Sequence, residues 1–296
     1  MGFLSWPGVA GVVVLAVVLS GCSPRHLIVN SLASELAGQS QGAENDPELA
    51  RDAAPFYFKL SESVLAQTPG HPALAEGLAA RMTEYTYAFV ALEADRLEAQ
   101  DSAAAHRLRQ RAAALYQRAR NHAMTALELR HPGLVQALAN PQAPLRLAPD
   151  DVGLVYWAAA AWGSWIAQSK DNPDVVADLP LVVRLAALAD AAAPGWNDGA
   201  LVGMRATLEA SRPGGDPAQA ARWFDQALQL AQGRSAAAFV AKAEGVALPA
   251  GDRAAFEQLL QQALAVKDAP NSPLTLQNQI MRRRAAWLLE QSPDLF

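Results

Sequence analysis

The chain has 296 residues, a net charge of −5 and a single cysteine. A lone cysteine cannot form an internal disulfide, and the acidic balance argues against nucleic-acid binding, which requires a basic surface. Hydrophobic residues make up 51% of the chain, enough for a large core in one or two domains.

The first predicted element is an apolar stretch, residues 9–19, followed by Ser-Gly-Cys22. This stretch is too short to cross a bilayer as a helix, and it matches the hydrophobic region of a secretory signal. Residues 1–21 are therefore predicted to be a lipoprotein signal peptide, with Cys22 as the lipidated residue. The alternatives are an uncleaved anchor and a buried thiol. Ser23, where an inner-membrane retention signal would have Asp, favours the periplasmic side of the outer membrane.

The rest of the chain is predicted to be helical, because Ala and Leu dominate it while Pro and Gly interrupt it at intervals. No convincing strand is present. The predicted helices, in chain order, span residues 27–39, 47–67, 72–100, 103–130, 149–169, 175–192, 197–211, 217–232, 235–247, 252–266 and 273–291. Residues 22–46 form a lipidated N-terminal segment and linker, and residues 47–296 form one helical-repeat domain.

A repeated spacing indicates an all-α fold of degenerate tetratricopeptide-like repeats, an α-solenoid. The second helix of such a unit reads Ala-x3-Phe-x2-Ala, because small residues let two helices approach while the aromatic ring fills the gap. Ala220-x3-Phe224-x2-Ala227 fits this pattern, and Ala112-x3-Tyr116-x2-Ala119 fits it with Tyr for Phe. Phe224 is therefore predicted to be core. The alternative is an irregular helical bundle in which the spacing is accidental.

Catalytic and metal-binding patterns are missing from the sequence. The five histidines form no metal-ligand spacing, and there is no Gly-x-Ser-x-Gly elbow or phosphate-binding loop. The sequence therefore predicts no enzyme activity, no metal and no cofactor.

Residues 154–166 are unusually aromatic and apolar. Tyr156, Trp157, Trp162 and Trp165 surround a helix whose remaining positions are mostly small, which predicts a central location. Two interpretations remain open. The aromatic rings either fill the core on every side, or some of them line an apolar cavity or pore and contact a ligand.

The chain resembles the T-component family of TRAP (tripartite ATP-independent periplasmic) transporters. The matching stretches run in order through the chain: Ala54-Pro-Phe-Tyr-Phe-Lys-Leu-Ser-Glu62, Leu115-Tyr-Gln-Arg-Ala-Arg120, His131-Pro-Gly133, Tyr156-Trp157, Ala161-Trp-Gly163, Ser169-Lys-Asp-Asn-Pro173, Ala177-Asp-Leu-Pro180, Gly199-Ala-Leu201, Arg283-Arg-Ala-Ala-Trp-Leu-Leu289 and Asp294-Leu-Phe296. The chain departs from the family at Val202, where a His often follows Gly-Ala-Leu.

The resemblance implies a periplasmic lipoprotein that assists a transporter. Its protomers would contain an apolar pore and could form a homotrimer, and they would dock the transporter's extracytoplasmic solute-binding protein and handle a hydrophobic small molecule. Contact with the membrane would be through the N-terminal lipid. The alternative is an outer-membrane-tethered scaffold that uses its repeats for protein assembly and holds no ligand.

Overall fold

The computed structural model describes residues 24–39 and 42–296. The predicted signal peptide and Cys22 lie outside these residues. The part of the chain that the structure describes is all helical, without a strand, as the sequence predicted. No helix in it combines the length and hydropathy needed to cross a membrane.

The helices follow the chain with short connections. They are α1 (Pro24–Gly38), α2 (Pro47–Leu65), α3 (Pro72–Thr86), α4 (Leu92–Leu97), α5 (Ser102–Arg130), α6 (Leu134–Ala139), α7 (Val152–Ala167), α8 (Pro173–Val176), α9 (Leu179–Ala192), α10 (Trp196–Ser211), α11 (Pro217–Ala231), α12 (Ala236–Lys242), α13 (Arg253–Ala265) and α14 (Thr275–Leu295). Two π-helical segments interrupt this series, π1 (Tyr87–Ala91) between α3 and α4, and π2 (Ala243–Ala247) after α12.

Most predicted helices are present, with three informative differences. The predicted helix 72–100 contains π1, and the predicted helix 235–247 ends in π2. Periodicity of apolar residues does not reveal a single wider turn, so neither segment could be predicted. The short α6 was also missed, because prolines at both ends of residues 132–141 favoured a loop.

Helix starts follow the Asp/Asn-Pro pattern in the sequence. Asp46 Oδ1 accepts a hydrogen bond from Leu49 N at 3.0 Å, and Asp216 Oδ1 accepts one from Ala218 N at 2.9 Å. Each carboxylate satisfies a backbone N–H that has no partner within its helix, while the following proline supplies the required φ angle.

Small residues allow the repeat helices to pack closely. A Cβ atom at Gly203 would lie 3.7 Å from Cβ of Ala227, so α10 and α11 approach through these two positions. Phe224, on the same face of α11, is 1% exposed. Its ring lies where a Cβ atom at Gly245 would be only 2.9 Å away, so Phe224 fills the gap between α11 and π2. The prediction that Phe224 is a core residue is confirmed.

The buried residues form two main clusters. The larger one contains residues from helices between α1 and α10, and the smaller one contains residues from α12, π2, α13 and α14. The C-terminal helix then returns to the start of the chain. Leu276 N donates to Gly42 O at 2.9 Å, and Arg283 forms an ion pair with Glu48 of α2 at 2.6 Å. These contacts join the last helix to α2, so the series of packed helices closes on itself.

Candidate functional site

The closed arrangement leaves a cavity of about 500 Å³ between the two clusters. Its walls come from α2, α3 and π1 on one side, and from α10, α12, π2 and α14 on the other. This volume lies within the range of pockets that hold small molecules.

The cavity wall is mainly apolar and built from small side chains. Alanines from several helices leave the open space, and larger side chains close its sides. The apolar lining comprises Ala54, Ala88, Phe89, Ala210, Ala237, Ala241, Gly245, Pro273, Leu276, Ile280 and Met281. A surface of this composition favours an apolar ligand, because burying it removes apolar area from water.

Both π-helical segments border this cavity. In π1, Leu92 N donates to Tyr87 O, and in π2, Leu248 N donates to Ala243 O at 2.9 Å. A π turn contains one residue more than an α turn. Such turns are rare in proteins as a whole, and those that occur are often found at functional sites. Two of them on opposite walls of one cavity therefore single out this region of the molecule.

Arg81 and Glu84 from α3 provide charge on one wall. Arg81 Nη1 donates to Gln39 O at 2.8 Å. Glu84 is accessible to water because it borders the cavity, while protein atoms surround it on its other sides. This desolvation raises the pKa of Glu84 to about 7, although Arg81 acts to lower it.

Glu244 from π2 provides charge on the opposite wall, and its carboxylate is paired. Arg284 Nη2 donates to Glu244 Oε1 at 2.7 Å, while Arg284 Nη1 donates to Asp95 Oδ2 of α4 at 2.9 Å. The Arg284 side chain is 12% exposed. Arg284 therefore links α4, which follows π1, to π2. Burial and the nearby Glu244 also raise the pKa of the Tyr87 hydroxyl well above its usual value.

A second, more polar pocket of about 350 Å³ adjoins the cavity. The two spaces share Ala88, Phe89 and Ile280 as lining residues, so these side chains form the partition between them. The second pocket is otherwise largely charged, with Glu48, Arg51, Glu93, Arg96 and Arg283 around it.

The predicted aromatic site lies on α7, next to this region but outside the cavity lining. Trp162 is 1% exposed, its Nε1 donates to Asp178 Oδ2 at 3.2 Å, and the guanidinium of Arg120 lies 4.0 Å from its ring centroid. Trp165 is partly buried against the main cluster.

Tyr156 and Trp157 are partly buried and contact each other edge to face, with centroids 4.9 Å apart. Tyr156 also contacts Trp196 of α10. Burial raises the pKa of Tyr156 to about 12, and the charge of Glu84 adds to this effect. The charge of Glu84 on the cavity wall therefore influences the pKa of Tyr156, although Tyr156 does not line the cavity. Ligand contact by any of the four aromatic residues stays a prediction.

Sequence reasoning missed the residues that do line the cavity. Glu84, Glu244 and Gly245 lie in segments that read as ordinary amphipathic helix. Only their joint position around one space distinguishes them, and that position depends on contacts between distant parts of the chain. Among the described residues, no cluster of His, Cys, Asp or Glu is arranged to hold a metal ion.

Comparison with known proteins gives a family for this arrangement. The sequence profile of the TRAP transporter T-component matches residues 43–296. The chain belongs to the TRAP transporter T-component family. This membership confirms the resemblance read from the sequence.

A relative of this T-component chain is known from Treponema pallidum (strain Nichols). It is described as an uncharacterized protein and is 24% identical over 304 aligned residues, which cover 94% of each chain. The T-component family is an accessory part of a transporter and is not a known class of enzyme. It suggests an accessory role for this chain in a TRAP transporter.

Proposed function

We propose that the protein is a lipid-anchored accessory of a TRAP transporter that docks the extracytoplasmic solute-binding protein and holds a hydrophobic small molecule. In this proposal, Cys22 carries the lipid, and the helical domain lies at the periplasmic side of the outer membrane. In the same proposal, the helical domain acts as a homotrimer.

The cavity is the observation that carries the ligand part of this proposal. It has about 500 Å³ of space, a mainly apolar wall and only a few polar groups, which is the usual composition of a small-molecule site. Among the residues of π1 and π2 that border it, Ala88, Phe89, Glu244 and Gly245 belong to neither main cluster, while Tyr87 packs partly buried against the smaller one. Family membership supports the transporter part.

The ligand part is tested by filling the cavity. Ala241→Phe places a ring in the lined space, whereas Ala114→Phe makes the same change on an exposed position of α5. Each variant is purified, and its bound lipids and small molecules are extracted and identified by mass spectrometry. We expect wild type and Ala114→Phe to carry the same apolar compound and Ala241→Phe to carry much less. Equal amounts in all three would contradict the assignment of this cavity.

The anchor and the partner require separate tests. Cys22→Ser is expected to leave an uncleaved precursor that does not label with palmitate, and fractionation of the wild-type protein is expected to find it in the outer membrane. Normal labelling of Cys22→Ser would refute the anchor.

Cross-linking in cells, followed by purification, is expected to recover the solute-binding protein of a TRAP transporter. Recovery of unrelated envelope proteins with an empty cavity would favour the scaffold alternative.

A further inference from the structure

The cavity contains one carboxyl group without a binding partner in the described structure. Among the described residues, no hydrogen bond or ion pair involves the carboxylate of Glu84, although its backbone oxygen accepts a hydrogen bond from Tyr87 N. Glu244, on the opposite wall, is bound by Arg284 at 2.7 Å. Arg81, three residues before Glu84, donates to Gln39 O instead and acts on Glu84 only at longer range.

The charge of the wall favours a cation. The ionisable acids and bases that line the cavity are Glu84, Glu244 and Arg81, apart from the tyrosines, so carboxylates exceed guanidinium groups. A carboxylate that is partly desolvated and lacks a partner is costly in free energy. A ligand that donates a charge-assisted hydrogen bond removes much of that cost.

We propose that the cavity binds an amphipathic amine, with its protonated nitrogen donating to the carboxylate of Glu84 and its apolar body against Phe89, Leu276 and Ile280. This assignment rests on the proposed function, because it names the class of ligand for the same cavity. The apolar part supplies affinity through burial, and Glu84 supplies selectivity for the headgroup.

The electrostatics around Glu84 agree with this assignment. Desolvation raises its pKa to about 7, Arg81 from the same helix lowers it, and Tyr156 of α7, whose own pKa is raised by the charge of Glu84, brings no positive charge. The other ionisable groups on the wall, Tyr85, Tyr87 and Glu244, are neutral or acidic. A bound ammonium group therefore faces no competing cation except Arg81, and it stabilises the ionised form of Glu84.

The test compares three probes of equal chain length: dodecylamine, dodecanol and dodecanoate. Affinities are measured by calorimetry at about pH 8, where Glu84 is largely ionised and a primary amine is still protonated. We expect dodecylamine to bind wild-type protein roughly ten times more tightly than dodecanol, the effect of one charge-assisted hydrogen bond. Dodecanoate is expected to bind most weakly. At about pH 5.5 the preference for the amine should shrink, because Glu84 is then largely protonated before binding.

Glu84→Gln removes the negative charge but keeps the shape of the side chain. It is expected to reduce the preference for dodecylamine over dodecanol to near unity, chiefly by weakening the binding of dodecylamine. Glu290→Gln is the matched control, since Glu290 is exposed on α14 and is not part of the cavity lining. Thermal melting of each variant shows that it is folded.

The outcomes separate this inference from the proposed function. If all three probes bind, Ala241→Phe abolishes binding and Glu84→Gln changes nothing, the cavity binds apolar ligands but the role of Glu84 is refuted. Tighter binding of dodecanoate than of dodecylamine also refutes it. If no probe binds wild type, both the ligand part of the proposed function and this inference fail.

Discussion

Helix α7 packs against α3, which supplies part of the cavity wall, and α7 and this wall are built in opposite ways. Helix α7 carries large aromatic rings that are buried or partly buried, and its Trp162 is held by Asp178 and Arg120. The cavity wall contains several alanines and two glycines, together with two π turns and a few charged groups.

The difference shows that conspicuous residues and an open binding space need not coincide. Large rings fill volume, so they make a region rigid and leave little room for a ligand unless the packing fails. Small residues and irregular turns create space. Changes in α7 are therefore expected to act mainly on stability, and changes in the cavity wall mainly on binding.

The largest effect is expected from Trp162→Ala in α7. Removing the buried ring leaves a cavity and deprives Asp178 and Arg120 of their contacts, so the free energy of unfolding should fall by about 3–5 kcal/mol. Chemical denaturation measures this change. Phe56→Ala is the control, because Phe56 is 67% exposed and should have little effect. A similar small loss for both variants would mean that α7 is not packed as described.

The next effect is expected from Arg284→Met, which breaks the link between the two halves. Asp95 and Glu244 keep their charges but lose their shared cation, so stability should fall by about 1–3 kcal/mol, less than for a fully buried pair because both acids are partly exposed. Arg283→Met is the adjacent control, since its ion pair with Glu48 is exposed on both sides and its loss should matter less. Equal losses in denaturation experiments would contradict the bridging role of Arg284.

A smaller loss is expected from Gly245→Ala in π2. The added Cβ atom would lie 2.9 Å from the ring of Phe224, so the ring or the π turn must shift, at a cost of about 1–2 kcal/mol. Gly70→Ala provides the comparison, because a Cβ atom there has no neighbour within 4 Å. A smaller cost of Gly245→Ala in a Phe224→Leu background than in the wild-type background would locate the strain at this contact. A melting temperature unaffected by Gly245→Ala would rule out the close approach.

The effect on stability that depends most on pH concerns Glu84, and it is expected to be the smallest because Glu84 is accessible to water. Its pKa is about 7 in the folded protein against an ordinary value of 4.5, so the folded state binds the proton more tightly than the unfolded state. The resulting stabilisation is complete below about 4.5 and is lost as the pH rises to about 7. Glu84→Gln should therefore gain melting temperature relative to wild type across that window. A difference that stays constant with pH would contradict the desolvation of Glu84.

The sequence predicts the fold far better than the site. Proline with a preceding Asp or Asn marked helix starts correctly, and the small-aromatic-small spacing around Phe224 identified a real helix contact, because both patterns act over a few residues. The cavity depends on residues such as Ala54, Glu84 and Ile280, which are far apart in the chain and individually ordinary. The spacing of apolar residues in the sequence also gives no sign of a π turn.

The π turns make the molecule unusually sensitive to residue count. An α-helix rotates by about 100° per residue, so a segment with one residue more or fewer turns everything beyond it by that angle. Deleting one residue from Tyr87–Ala91 would restore a continuous α-helix and rotate Leu92–Leu97, carrying Asp95 away from Arg284. In this part of the chain, the rotation of the helix therefore decides whether Asp95 reaches Arg284 of α14.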